Sequence, residues 1–151
     1  MMIFEGDRDF ALPPGDLFAK LSDAVFLVQC IPDSSTAVKA EKTKAACTVR
    51  PGFAFIRGSL DVTLEVANAV EAQSMRLLLV SKGIGSSSDV ETLLTFTPQG
   101  TGTRIHWKAE VKRLGGLLRA VPTGLIRGAA QKLIEDVWAS VQNKLNQGRN
   151  L

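Results

Sequence analysis

Few side chains in this sequence are of a type that does chemistry, and their spacing decides how far each one can go. His106 is the single histidine of 151 residues, so any imidazole acid–base scheme must run through it. It alternates with Ile105 and Trp107 along a strand-like stretch, which predicts a ring pointing to solvent. No Ser-His-Asp arrangement, no HExxH and no pair of carboxylates on an apolar face can be drawn from the chain. No catalytic residue is therefore assigned. Cys30 and Cys47 stand apart, without the spacing of a metal or redox pair, and read as buried small apolar residues in a reducing compartment. Neither a metal nor a cofactor is expected. Gly83-Ile84-Gly85 before Ser86-Ser87-Ser88 has the composition of a phosphate cradle, but a strand follows it where a helix N-terminus is needed. A hairpin spanning Gly83 to Ser88 is predicted instead.

Arg8 is the more informative outlier. Two-residue alternation from Met2 to Phe10 places it on the same face as Phe4 and Phe10. An inward guanidinium could anchor a ligand carboxylate or carbonyl; the favoured reading is that an Arg at a strand end reaches water or pairs with an acid. Arg50 and Arg57 flank a long hairpin whose Phe53 and Phe55 form a lid or entrance to a cavity, a partner contact, or plain core.

These side chains must be positioned by a β-rich body and one long helix. Leu12-Pro13-Pro14-Gly15 ends the first strand and leads into a short helix with Leu17, Phe18 and Leu21 at helical spacing. Ser22-Asp23 caps a second, Ala24 to Cys30, closed by Ile31-Pro32-Asp33. From Ser35 to Lys112 the pattern alternates: Ala37 to Lys44 as a Lys-rich edge, Ala45 to Arg50, then strands centred on Val62, Leu77, Leu94 and Trp107. Turns are predicted at Asn68 to Glu71 and Pro98 to Gly102 as well. After Gly115-Gly116, which break the last strand, a helix runs from about Pro122 to Gln147 and ends at Gly148. Its apolar stripe reads Leu118, Val121, Leu125, Ala129, Leu133, Val137, Val141 and Leu145, widened by Ile126, Ile134 and Trp138.

An apolar content of 45% in 151 residues suits one domain, residues 1–151, with one core. The first ten residues carry four charges, which no signal peptide tolerates, and no apolar run spans a bilayer. A cytoplasmic location is expected. The net charge of +3 is concentrated towards the last helix, giving it a basic face that could meet an anionic membrane or an acidic partner. Nucleic acid is not an expected partner, since no basic run is interleaved with aromatics.

An antiparallel meander with one apolar face needs a cover, and only the last helix is long enough. The fold predicted is α+β, with a curved antiparallel sheet of six or seven strands wrapped on a long C-terminal helix and two short helices after strand 1. The space between sheet and helix is the natural ligand site. Strand and helix parity assign its lining to Arg8, Phe18, Phe26, Phe53, Phe55, Leu64, Leu77, Leu79, Leu94, Phe96, Trp107, Ile126, Leu133 and Val137.

This order of elements resembles the helix-grip fold of the START-like (Bet v 1-like, polyketide cyclase) superfamily. Phe4-Glu5-Gly6, Pro13-Pro14, Cys30-Ile31-Pro32-Asp33, Val49-Arg50-Pro51-Gly52-Phe53 and Gly115-Gly116 are similar to the CoxG family of carbon monoxide dehydrogenase. Asp33 stands where that family usually has glycine, a change of little weight if the residue is not left-handed. The resemblance implies a cavity for a hydrophobic small molecule such as a quinone, lipid or polyketide-like ligand. It also implies association with a molybdenum hydroxylase, namely carbon monoxide dehydrogenase, and recruitment to the inner face of the membrane. Here the basic helix face would have to serve that peripheral contact. A cyclase or aromatase reaction in the same cavity is the enzymatic alternative, and requires an inward polar group.

Overall fold

The computed structural model describes residues 2–35, 39–50 and 58–149. Strand β1 (Met2–Phe10) is followed by helices α1 (Pro14–Leu21) and α2 (Ala24–Gln29). Strands β2 (Lys39–Ala40), β3 (Lys44–Val49), β4 (Leu60–Val70), β5 (Ser74–Gly83), β6 (Ser86–Gln99) and β7 (Gly102–Gly116) come next. A 3-10 turn (Leu117–Ala120) leads into α3 (Thr123–Arg149). The α+β helix-grip prediction holds. The strands form one antiparallel sheet in the order β1-β7-β6-β5-β4-β3-β2, so the first strand closes against the last.

Local chemistry explains the boundaries. The Asp23 carboxylate accepts from the Val25 amide at 3.0 Å, capping α2 as its sequence position implied. Pro14 opens α1, where a missing N–H costs nothing. Ile84 and Gly85, both left-handed at φ 55° and 68°, make a two-residue hairpin loop between β5 and β6. Ser86, Ser87 and Ser88 thus belong to a strand, not to the predicted turn. The other loops shift likewise. β4 runs on through a bulge between Ala67 and Val70 before turning at 71–73, and Pro98 remains within β6.

Two boundaries at the C-terminal end also differ from the sequence expectation. β7 runs past Lys112, where the alternation was expected to stop, and ends at Gly115-Gly116 as expected, with Gly116 left-handed at φ 63° against the Gly85 carbonyl. The helix passes through Gly148 to Arg149, because a lone glycine costs a helix only about 1 kcal/mol.

The core is one contiguous cluster between the inner sheet face and the helices. Leu17 and Leu21 of α1, Ala24, Leu27 and Val28 of α2, and Trp138, Val141 and Leu145 of α3 meet Ala45, Cys47, Val62, Leu64, Met75, Leu94, Phe96, Ile105 and Trp107. Both thiols are buried, and burial pushes each pKa up. The predicted apolar stripe of the last helix needs correction. Leu125 is 56% exposed, and the buried line is Ile126, Trp138, Val141 and Leu145. A row of four-residue steps advances about 40° around the helix each time, so it cannot stay on one face for five turns.

Candidate ligand groove

Cross-strand register fixes which side chains share the concave face. Cys47, Val62 and Ser81 are neighbours across β3, β4 and β5; Leu64, Leu79, Val90 and Val111 across β4 to β7; Val66, Leu77, Thr92, Ala109 and Phe4 across β4 to β1. Residues directly paired in an antiparallel sheet point the same way. All of these therefore share the concave face, whose β3–β4 part is covered by α2.

One end of the space is closed by aromatic packing. Trp138 of α3 lies with its ring centroid 6.1 Å from Phe10 and 6.3 Å from Trp107. Gly6 makes room for this: a Cβ there would meet the Trp107 ring at 3.0 Å. Arg8 ties the same end, its Nη1 donating to Gln142 Oε1 at 2.7 Å, while Gln142 Nε2 donates to the Asp9 carbonyl at 3.3 Å. Arg8 thus stands on the face that strand parity gave it, and its guanidinium bonds the Gln142 amide, which holds β1 to the helix. Arg127 stacks over the Phe4 ring at 5.0 Å, a second cationic clasp on β1.

Towards the other end burial falls. Leu77, Leu79, Val90 and Val111 from the sheet, and Ala130, Ile134 and Val137 from α3, are only partly buried at the margin of the core. Leu118 and Ile126 are buried, yet they do not join the contiguous cluster. These half-buried apolar side chains of the sheet and of the first half of α3 mark the candidate ligand groove, between the aromatic end and the β5–β6 hairpin.

The predicted lining residues separate into three groups. Leu64, Leu94, Phe96 and Trp107 are buried in the solid core. Phe18 packs edge-on to Phe96 at 5.6 Å, and Phe26 is half-buried against the same cluster. Leu77, Leu79 and Val137 are half-buried at the margin of the core, Ile126 is buried outside the contiguous cluster, and Leu133 is half-buried. Phe53 and Phe55 lie outside the described residues. Sequence parity missed Val90, Val111 and Ile134, although the same alternation could have found them. It also missed the inward hydroxyls of Ser81 and Ser88, 2.5 Å apart, because serines beside a glycine-rich hairpin have the composition of a turn.

His106 faces outward, as its parity predicts, with Nδ1 2.9 Å from Asp7 and Nε2 3.2 Å from Glu5. The Asp7 hydrogen bond holds its pKa above the ordinary histidine value; desolvation opposes it, and the Glu5 bond and both carboxylate charges add to the rise. Among the described residues no group of three His, Cys, Asp or Glu is disposed to hold a metal ion. No described helix is long and apolar enough to cross a membrane. A separate recess of about 260 Å³ lies on the outer sheet face, lined by Val80, Lys82, Ser87, Asp89 and Arg113.

A curved sheet gripping one long helix over such a groove defines a START-like domain. A structure of a START superfamily protein from Mycobacterium smegmatis is similar at a TM-score of 0.69 and 12% identity, covering 96% of this chain and 97% of that one. A conserved protein from Geobacillus kaustophilus is similar at 0.84 and 20%, covering 97% and 96%. The AHSA1 protein of Silicibacter pomeroyi is similar at 0.67 and 14%, covering 97% and 99%. No curated protein matches the chain. Residues 6–146 match the carbon monoxide dehydrogenase subunit family CoxG, and the chain belongs to that family.

Proposed function

We propose that this chain binds and carries an apolar small molecule, of quinone, lipid or polyketide-like kind, in the groove between the concave face and α3. The observation that carries this reading is the half-buried apolar line Leu77, Leu79, Val90, Val111, Ala130, Ile134 and Val137. Apolar side chains left loosely packed inside a fold lose dispersion contacts that a guest of matching shape restores. Membership of the CoxG family supports an accessory role beside a molybdenum-dependent carbon monoxide dehydrogenase. No observation favours a cyclase-type reaction, since His106 faces away from the groove and Arg8 is engaged by Gln142.

Native mass spectrometry of freshly purified protein, with titration by the neutral fluorophore Nile red, tests the proposal. Saturable uptake is expected, weakened about tenfold by Leu79→Trp, which fills the groove from one wall. Absence of uptake by the unaltered protein would remove the reading.

A peripheral membrane contact is favoured by a different feature. Ile84 and Leu117, 40% and 63% exposed, stand together at the β5–β6 hairpin, where Leu117 N–H donates to the Gly85 carbonyl at 2.9 Å. Lys82, Arg113 and Arg119 surround them in sequence and fold. Apolar tips in a basic rim suit an anionic bilayer surface. Flotation with anionic liposomes should show binding that falls with salt; salt-independent or absent binding would count against it.

A further inference from the structure

Within the groove, the Ser81 and Ser88 hydroxyls stand 2.5 Å apart, close enough for one to donate to the other. Register places both on the concave face, where Ser81 neighbours the buried Val62 and Ser88 neighbours Leu114. Both are half-buried, and the next inward residues along their strands are Leu79 and Val90. We propose that this pair is the anchoring point for the polar head of the ligand, and that the head is an uncharged hydrogen-bond acceptor such as a ketone, quinone or ester carbonyl. The inference rests on the groove reading above and specifies which chemistry that groove accepts.

Two hydroxyls carry two protons, and their mutual hydrogen bond consumes one. The second proton is then free to donate towards the groove, and the oxygen lone pairs leave room for a hydroxyl head to donate in return. Chained hydroxyls polarise one another, so the outer donor is stronger than an isolated serine. A neutral carbonyl seated there makes one good bond and leaves nothing uncompensated.

A carboxylate head fits poorly. Burying a charge without a counter-charge costs far more than one neutral donor returns. Among the described strand residues the only charged side chain on the concave face is Arg8, already bonded to Gln142. Arg8 also sits beside Ile105 and Phe96 in register, eight residues along β6 from Ser88, or roughly 26 Å away. A cation nearer the pair in register is Arg119, an exposed side chain whose Nε donates to the carbonyl of Leu114, the neighbour of Ser88, so it is engaged there by backbone.

Displacement of Nile red by methyl decyl ketone and by laurate, two probes of equal carbon number, tests the assignment. In the unaltered protein the ketone should displace the dye at a concentration about tenfold lower than laurate. The double variant S81A/S88A should lose about three- to tenfold in ketone affinity and less than twofold in laurate affinity. Ser88→Thr, which keeps the hydroxyl, should retain most of the ketone affinity. Should the double variant not fold, as judged by circular dichroism, Ser81→Ala and Ser88→Ala singly carry the same expectation. Unchanged ketone affinity in a folded alanine variant, or laurate binding as tightly as the ketone, overturns the head-group assignment while leaving the groove intact. Failure of the unaltered protein to take up Nile red, ketone or laurate overturns the groove and the assignment together.

Discussion

Left-handed backbone at side-chain-bearing residues marks where this chain accepts local strain. Asp33 has φ 59° and Ile84 φ 55°. The glycine-to-aspartate change at the Cys30-Ile31-Pro32-Asp33 turn therefore falls on a left-handed residue after all, although aspartate tolerates that region better than most. Ile84 is the harder case, a β-branched residue in a hairpin loop that favours Asn-Gly. Ile84→Asn should raise stability by about 1 kcal/mol and Asp33→Gly by less, both read from urea midpoints at constant m-value. The outward His106 supplies a pH signature. Its pKa is raised in the fold by Asp7 and Glu5, so its contribution is fully present below about pH 6.5, the unfolded value, and is lost as pH rises through the folded value. The melting-temperature gap between the unaltered protein and His106→Gln should be visible at pH 5.5 and vanish at pH 8.5. A constant gap would contradict the ion-pair geometry.

At the level of elements, the alternating strands and capped short helices were legible because each is set by local chemistry. Hairpin loops were located at 84–85 and 100–101 but drawn too wide, and the one at 71–73 was set too early. A two-residue loop leaves no polar run to recognise, and serines read as loop residues when they sit on a strand's inward face. The long helix was legible in existence but not in orientation, since a row of four-residue steps precesses around its axis. What orients it is tertiary: Trp138 between Phe10 and Trp107, and Gln142 under Arg8. Trp138→Ala should cost about 3–5 kcal/mol in chemical denaturation. A double-mutant cycle of Arg8→Met and Gln142→Leu should give a coupling of about 1–2 kcal/mol; zero coupling would return Arg8 to the role of ligand anchor.

For the whole molecule, the sequence pattern implied that a groove exists but could not say which inward residues border it. Leu94 and Leu79 have the same parity and the same chemistry, yet the first is buried and the second only half-buried. The difference is set by which tertiary neighbours cover each residue, and no alternation rule encodes that cover. A guest bound at a hundred times its dissociation constant should stabilise the fold by about 2.7 kcal/mol, measurable as a raised melting temperature.

The pairing of Met2–Phe10 with Gly102–Gly116 carries a kinetic corollary. On the ribosome the opening strand emerges roughly a hundred residues before the strand it must join, while the intervening hairpins can zip as they appear. Assembly is then expected to nucleate in the consecutive hairpins, with the amino-terminal segment docking last. Substitutions such as Phe4→Leu should speed unfolding and leave the refolding rate nearly untouched, whereas Leu94→Ala should slow refolding.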